Sequence, residues 1–157
     1  ILDSMNLDVK TALKQDKDNP IQDSMEVGLV CLNTITNELL FAGANISLTY
    51  IQNNVMKFAI AGKCSVGSVQ DKSVSLPKTH SISLNKEDSF YLYSDGLSDQ
   101  FGGPKGKKFK YKPLEDLLLS NSQKPLDVQK QIINKTFDNW KGNLEQVDDV
   151  CLIGVRI

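Results

Sequence analysis

The sequence is poor in the side chains from which nucleophile–base and zinc sites are built. Its only histidine is His80, so a Ser-His-Asp or Cys-His system would depend on that residue. The three cysteines, Cys31, Cys64 and Cys151, are odd in number and form no Cys-x-x-Cys pair, which argues against a structural zinc site. Because Cys31 and Cys151 each lie in an apolar run, we predict reduced thiols in the core of a cytoplasmic protein.

Neither charge nor hydropathy indicates a nucleic-acid or membrane partner. The formal net charge is −1, which gives no basic surface for nucleic acid or an anionic bilayer. No apolar run approaches the roughly 20 residues of a membrane span, and the N-terminus has neither the basic start nor the apolar centre of a signal peptide. The chain does not begin with Met, so we expect a piece of a longer protein.

The order of apolar patterns predicts a helix, several strands, two helices and a final strand. Helical spacing covers residues 1–15, and the β-rich segments that follow are 25–33, 38–44, 48–52, 55–60, 79–84 and 89–94. Two amphipathic segments, 113–119 and 126–140, precede an apolar strand at 150–157. Clustered strands and clustered helices favour a single α+β domain over a βαβ repeat.

Two acidic positions stand out by their context. Asp95 follows directly on an apolar strand, and Gly96 lets the backbone turn sharply behind it. Asp148 and Asp149 stand at the mouth of the final apolar strand. A carboxylate held rigidly at a strand end suits a hard cation that prefers oxygen ligands, so both positions are candidate metal ligands.

Simpler interpretations of these acids stay open at this stage. Asp-Gly is a common turn, Asp95 can be the N-cap of a short helix at 97–101, and Asp148 can end a loop. The segment 102–108 is glycine-rich and basic, and could contact a phosphate, but it lacks the P-loop pattern. A solvated loop is the simpler interpretation of that segment.

Three segments resemble the SpoIIE branch of the metal-dependent phosphatases. The run Phe90–Phe109, which contains Ser-Asp-Gly-Leu-Ser-Asp-Gln-Phe-Gly-Gly, is similar to output domains of Bacteroidetes signalling proteins. The segments Trp140–Val150 and Leu40–Asn45 are similar to the same group. The resemblance extends in order from about residue 20 to the end of the chain.

The resemblance implies a PPM, or type 2C-like, β-sandwich flanked by helices, with its N-terminal part missing from residues 1–157. It also implies two Mn²⁺ or Mg²⁺ ions, held by carboxylates, and a metal-bound water that attacks phosphoserine or phosphothreonine. Carried over one position at a time, Asp95 and Asp148 correspond to metal ligands. Asp149 corresponds to the residue that lies next to these ligands and further from the metals. Gly96 corresponds to the glycine that supports the turn.

The chain departs from the family pattern in three places. No segment matches the family's Asp-x-x-Gly-His-Gly, which we expect upstream of Ile1. Glu26 stands where related domains commonly have aspartate, so it is a candidate ligand with a longer reach. The loop 61–67 lacks the family's proline. We therefore predict weak or absent phosphatase activity for this chain alone, and an uncovered sheet edge that favours a homodimer.

These features lead to three functional hypotheses. In the first, the whole protein carries an upstream sensor domain and dephosphorylates a regulatory protein, such as an anti-sigma-factor antagonist. In the second, a degenerate phosphatase domain binds a phosphoprotein or relays a signal, an idea that Glu26 and the altered loop favour. A purely structural domain is the third, and it leaves the paired acids Asp148 and Asp149 unexplained.

Overall fold

The computed structural model describes residues 1–13, 23–68 and 77–157. Its helices are Leu2–Ala12 (α1), Gly96–Asp99 (α2), Tyr111–Asn121 (α3) and Leu126–Lys141 (α4). Its strands are Val27–Asn33 (β1), Glu38–Ala44 (β2), Leu48–Gln52 (β3), Val55–Ala59 (β4), His80–Ser83 (β5), Ser89–Tyr93 (β6), Phe101–Gly102 (β7), Lys107–Lys108 (β8) and Leu152–Arg156 (β9). The chain divides into two compact units: unit 1 comprises 1–48 and 58–84, and unit 2 comprises 49–57 and 85–157.

Unit 1 contains an antiparallel sheet in the order β1-β2-β5. The β-rich segments predicted at 25–33 and 38–44 form a hairpin, with β1 and β2 paired from Val27 opposite Ala44 to Asn33 opposite Glu38. The Asn33 side chain closes the turn at 34–37 by accepting bonds from two backbone N–H groups, at 2.9 and 3.1 Å. Asn37 adopts a φ of 56°, a conformation that asparagine tolerates better than most residues.

Helix α1 packs within unit 1 through a small apolar cluster. The buried members of the cluster are Leu2, Ala44 and Val66. The Asn6 side chain adds a polar contact, because it accepts a 2.9 Å hydrogen bond from the Gly67 N–H. The helix predicted over 1–15 is confirmed for residues 2–12, and the last two predicted positions, 14 and 15, lie outside the described residues.

Unit 2 is organised around β6, a central strand of the sheet β4-β3-β6-β9. β6 is antiparallel to both neighbours, with Tyr91 opposite Thr49 on one side and Gly154 on the other. Tyr91 is almost fully buried, in a cluster with Leu114 of α3 and Ile133 of α4. Burial of side chains of this size stabilises the fold by roughly 1.5–3 kcal/mol each, so this cluster holds β6 firmly in place.

The two long helices of unit 2 agree with the predicted ones in position and face. Helix α3 starts and ends two residues beyond the predicted 113–119, and Pro113 lies in its first turn, where a missing N–H loses no helical bond. The predicted apolar stripe of α4 is confirmed at Ile133, Phe137 and Trp140, which pack on the core. Leu126, at the start of α4, is 36% exposed and marks the edge of that stripe.

The segment 102–108 differs from the solvated loop that its composition suggests. β7 and β8 form a short antiparallel hairpin, with Phe101 opposite Lys108. Directly after β7, the Gly103 N–H donates a 2.8 Å bond to the Trp140 carbonyl. The tip at 104–106 is exposed, but this bond fixes the start of the hairpin loop on the end of α4.

The cysteines correct one expectation. All three are free thiols, but Cys31 and Cys151 are exposed, so their predicted place in the core is wrong. Cys31 lies in β1 and Cys151 directly precedes β9, and each of these strands is at the edge of its sheet. An apolar run does not distinguish an edge strand from a central one. Cys64 is half-buried, and burial raises the pKa of its thiol.

Among the described residues, no helix has both the length and the apolar character needed to cross a bilayer.

Candidate functional site

The candidate site lies in unit 2, where β6 ends and β9 begins. Tyr93 at the end of β6 is opposite Leu152 at the start of β9, in antiparallel register. The end of one strand and the start of the other therefore meet at the same edge of the sheet. Asp95 follows β6 and Asp148 precedes β9, so the register brings the two acidic turns together, although they are far apart in the chain.

The two acidic turns touch at Gly96. A Cβ atom at this position would overlap the Asp149 carbonyl oxygen, and would lie 2.8 Å from the Asp149 carbonyl carbon and 3.3 Å from the Asp148 carbonyl oxygen. Any side chain at position 96 would therefore push the turns apart. The sequence predicted a glycine that supports its own turn, and the structure adds that this glycine admits the opposite turn as a close neighbour.

Ser94 ties the two turns together beside this contact. Its Oγ donates to the Asp149 carbonyl at 2.8 Å and accepts from the Cys151 N–H at 3.0 Å. The Ser94 N–H continues the strand pairing by donating to the Cys151 carbonyl at 2.9 Å. Sequence reasoning assigned no role to Ser94, and its place between the strand and Asp95 was the one signal available.

Asp95 occupies the N-cap position of α2, but its side chain makes no capping hydrogen bond. Its backbone carbonyl instead bonds to the helix, accepting hydrogen bonds from the Asp99 N–H and from Ser98 Oγ, both at 2.8 Å. The carboxylate is exposed rather than folded onto the helix. The prediction that Asp95 is the N-cap of a short helix is therefore confirmed, but its carboxylate takes no part in the cap.

Asp148 has a local structural bond of its own. Its Oδ1 accepts from the Asp149 N–H at 2.7 Å, and its carbonyl accepts from Gln146 Nε2 at 2.8 Å. Both acids are exposed. Asp148 thus shapes its turn, as the loop interpretation held, and this local bond is compatible with a ligand role.

Glu26 belongs to unit 1. It is exposed and lies between Met25 and the start of β1. The Met25 backbone forms an isolated bridge with Val66, with two hydrogen bonds of 2.9 Å. The ligand role of Glu26 stays a prediction.

The donor set fits a divalent cation in kind but is incomplete. Carboxylate oxygens from Asp95, Asp148 and Asp149 are the hard donors that Mn²⁺ and Mg²⁺ take. Within residues 1–13, 23–68 and 77–157, however, no three His, Cys, Asp or Glu side chains gather closely enough to hold a metal. The three aspartates therefore stay predicted ligands.

His80, the first residue of β5, makes a structural contact in unit 1. Its Nε2 lies 3.0 Å from the Ile60 carbonyl oxygen, and its ring centroid is 6.0 Å from that of Phe41. The imidazole is half-buried in this position. These contacts explain the residue without a catalytic role.

Comparison with known proteins gives a family and a fold. Residues 1–157 match the family Stage II sporulation protein E (SpoIIE). No curated protein matches the chain. The SiaA-PP2C domain of Pseudomonas aeruginosa shares 24% identity with a TM-score of 0.88, over 99% of this chain and 59% of that one.

Two further solved structures are similar. The RsbU and RsbW domains of Rv1364c from Mycobacterium tuberculosis share 17% identity with a TM-score of 0.66, over 99% of this chain and 45% of that one. The Mn-presoaked phosphatase domain of SpoIIE from Bacillus subtilis shares 13% identity with a TM-score of 0.59, over 97% of this chain and 63% of that one. This chain thus spans less than two thirds of each, and the predicted fold class, an α+β PP2C-like fold, is confirmed.

Proposed function

Because the chain belongs to the SpoIIE family of PP2C-like phosphatase domains, we propose that the whole protein hydrolyses phosphoserine or phosphothreonine on a regulatory protein, using Mn²⁺ or Mg²⁺. One observation carries this proposal: the backbone contact at Gly96 between the turn of Asp95 and the turn of Asp148 and Asp149. Side chains that start from touching turns can direct their oxygens at the same cation.

Each acidic residue has a defined part in this proposal. Asp95 and Asp148 supply carboxylate oxygens from the two sides of the contact, and Asp149 stands next to them. Glu26 of unit 1 is a further, weaker candidate. Divalent ions in such sites neutralise phosphoryl oxygens and make a bound water more acidic. Since the donor set of the described residues is incomplete, we propose that this chain alone has weak activity or none.

The proposed substrate is a phosphorylated regulatory protein of the anti-sigma-factor antagonist kind, in the cytoplasm of a bacterium. The presence of an RsbU domain among the structures of similar fold supports this choice. In this scheme a sensor domain lies upstream in the whole protein and controls the phosphatase.

Self-association is a further part of the proposal. β9 is an edge strand of its sheet, and its Ile153 is 54% exposed. An open edge with an exposed apolar residue favours pairing with a second copy. Size-exclusion chromatography that gives only a monomer at high concentration would contradict this part.

A second function is a degenerate domain that binds a phosphoprotein or relays a signal without hydrolysis. The observation that favours it is the absence of a three-residue metal group in the part of the chain that the structure describes. Glu26, in place of the aspartate common in related domains, points the same way.

The test compares this chain with the natural protein that contains it. Both are assayed with p-nitrophenyl phosphate and a phosphoserine peptide, with and without millimolar Mn²⁺. We expect Mn²⁺-dependent turnover by the whole protein, lost in Asp95→Ala and Asp148→Ala, and little turnover by this chain. Peptide binding without hydrolysis by the whole protein supports the second function, and full turnover in either variant contradicts the ligand assignment.

A further inference from the structure

Gln100 directly follows α2, and its side chain is fully buried, with 0% exposure. Its Nε2 donates to the Glu145 carbonyl at 2.9 Å and to the Phe101 carbonyl at 3.0 Å. Its Oε1 accepts from the Val147 N–H at 3.3 Å. A buried amide that loses such partners leaves polar groups without water or protein to replace them, so these bonds constrain the backbone strongly.

The segment that Gln100 holds leads directly into the acidic turn. Residues 142–150 are all exposed, so they have little apolar packing to fix them. Val147, bonded to Gln100, immediately precedes Asp148. Asp149, bonded to Ser94, immediately follows it. Asp148 therefore lies between two anchored residues. Val147 is held by Gln100, which follows Asp95 in the chain, and Asp149 is held by Ser94, which precedes Asp95.

The backbone of Gln100 is itself fixed. Its carbonyl accepts from Trp140 Nε1 at 2.9 Å and from the Phe109 N–H at 3.0 Å. The Trp140 and Phe109 rings pack edge to face, with centroids 5.3 Å apart. Gln100 is thus mounted on the core of unit 2 and can impose a position on the exposed segment.

We infer that Gln100 is a positioning residue, which sets the carboxylate of Asp148 relative to that of Asp95 so that both reach one divalent cation. This inference rests on the proposed function and names a residue that controls its site without touching the ion. Groups that orient metal ligands in this way typically change metal affinity by about 10- to 100-fold.

Gln129 of α4 offers a matched control in the same unit. It is 2% exposed. Its Oε1 accepts from the Tyr91 hydroxyl at 2.9 Å, and its Nε2 donates to the Lys124 carbonyl at 2.8 Å and the Ser122 carbonyl at 3.3 Å. Its amide therefore holds the segment 122–124, so replacing it removes comparable bonds away from the acidic turn.

The experiment compares this chain with its Gln100→Leu and Gln129→Leu variants. Urea unfolding measures stability, electron paramagnetic resonance of free Mn²⁺ measures metal affinity, and NMR-detected hydrogen exchange measures the protection of single amides. We expect similar losses of stability in both variants. Only Gln100→Leu should weaken Mn²⁺ binding, by about 10-fold or more, and speed exchange at Val147 and Asp149.

A second variant protects the test against misfolding. Gln100→Met has an unbranched side chain that fills similar space. If Gln100→Leu fails to fold, we expect the same weaker Mn²⁺ binding and the same faster exchange in Gln100→Met. Equal Mn²⁺ affinities in the Gln100 and Gln129 variants would overturn the inference.

Failure of the proposed function has a separate signature. If the whole protein that contains this chain binds no Mn²⁺, the shared cation is refuted. If only this chain fails to bind Mn²⁺, its incomplete donor set accounts for the result, and the hold of Gln100 on the acidic turn is judged from exchange alone. Faster exchange at Val147 and Asp149 in the Gln100 variant only would uphold that role, and equal rates in the two variants would overturn it.

Discussion

The acidic residues of the two units are held in different ways. In unit 2, the turns of Asp95 and Asp148 touch at Gly96 and are joined by Ser94. In unit 1, Glu26 is exposed and follows an isolated two-bond bridge. A carboxylate on a fixed backbone loses less conformational freedom when it binds a cation than a longer, exposed one. The comparison therefore ranks the aspartates of unit 2 above Glu26 as candidate ligands.

Separating the turns is expected to have the largest effect. In Gly96→Ala, the new Cβ meets the carbonyl of Asp149, so we expect a loss of roughly 1–3 kcal/mol in the free energy of unfolding and loss of Mn²⁺ binding. Urea unfolding and Mn²⁺ titration measure the two effects. Gly106→Ala is the control, because a Cβ there meets nothing within 4 Å and its φ of +56° carries only a backbone penalty, about 1–2 kcal/mol. Loss of Mn²⁺ binding in both variants would contradict the prediction.

Neutralising the acids of unit 2 should have the next largest effect. Asp95→Asn and Asp148→Asn are each expected to weaken Mn²⁺ binding by at least about 10-fold, because each removes a charged donor. Because the Asp95 side chain makes no capping bond, the free energy of unfolding of Asp95→Asn should differ from that of the wild type by no more than about 0.5 kcal/mol. Isothermal titration with Mn²⁺ measures the affinity. Asp116→Asn removes an acid that pairs with Lys112 on α3 and should leave the affinity unchanged; a comparable loss there would point to a general charge effect.

Neutralising Glu26 should have a smaller effect than either of these changes. We expect Glu26→Gln to weaken Mn²⁺ binding by a few-fold at most, since an exposed glutamate must be ordered before it can contribute. The same titration measures it. A loss as large as that in Asp95→Asn would contradict this ranking of the candidate ligands.

The cysteines allow a fine check that distinguishes the units. At pH 8, iodoacetamide should label Cys31 and Cys151 before Cys64, because burial raises the pKa of the Cys64 thiol and so lowers its reactive thiolate fraction. Cys151 follows the acidic turn, so Mn²⁺ should slow its labelling modestly without changing that of Cys31. Mass spectrometry of time points measures the rates. Equal slowing at both thiols would show an effect unrelated to the acidic turn.

Local patterns predicted the elements of the fold better than their partners. Helices, strands and acidic turns all lie close to where local patterns predicted them, and the positive φ values of 56°, 50° and 61° at Asn37, Asn53 and Asn54 fall on residues that tolerate them. The pairing of β6 with β9 joins distant parts of the chain, and no local pattern encodes it. That the acidic turns lie together was therefore expected from the family resemblance alone.

The parts of the site that sequence reasoning missed depend on burial. Gln100 stands at a helix end, where a polar residue is ordinarily solvated, and only the folded structure shows that its side chain is fully buried. Cys31 failed as a core residue for the opposite reason, since β1 turned out to be an edge strand. Both outcomes depend on which elements become neighbours.

The anchoring of the connector after α4 has a consequence for engineering this domain. The Gln100 side chain bonds to Glu145 and Val147 of the segment between α4 and β9. Residues 142–144, which precede these bonds, are exposed. Lengthening an exposed loop has a small entropic penalty. A short peptide tag inserted between Gly142 and Asn143 should therefore be tolerated, whereas the same tag placed between Val147 and Asp148 would uncouple the two halves of the site.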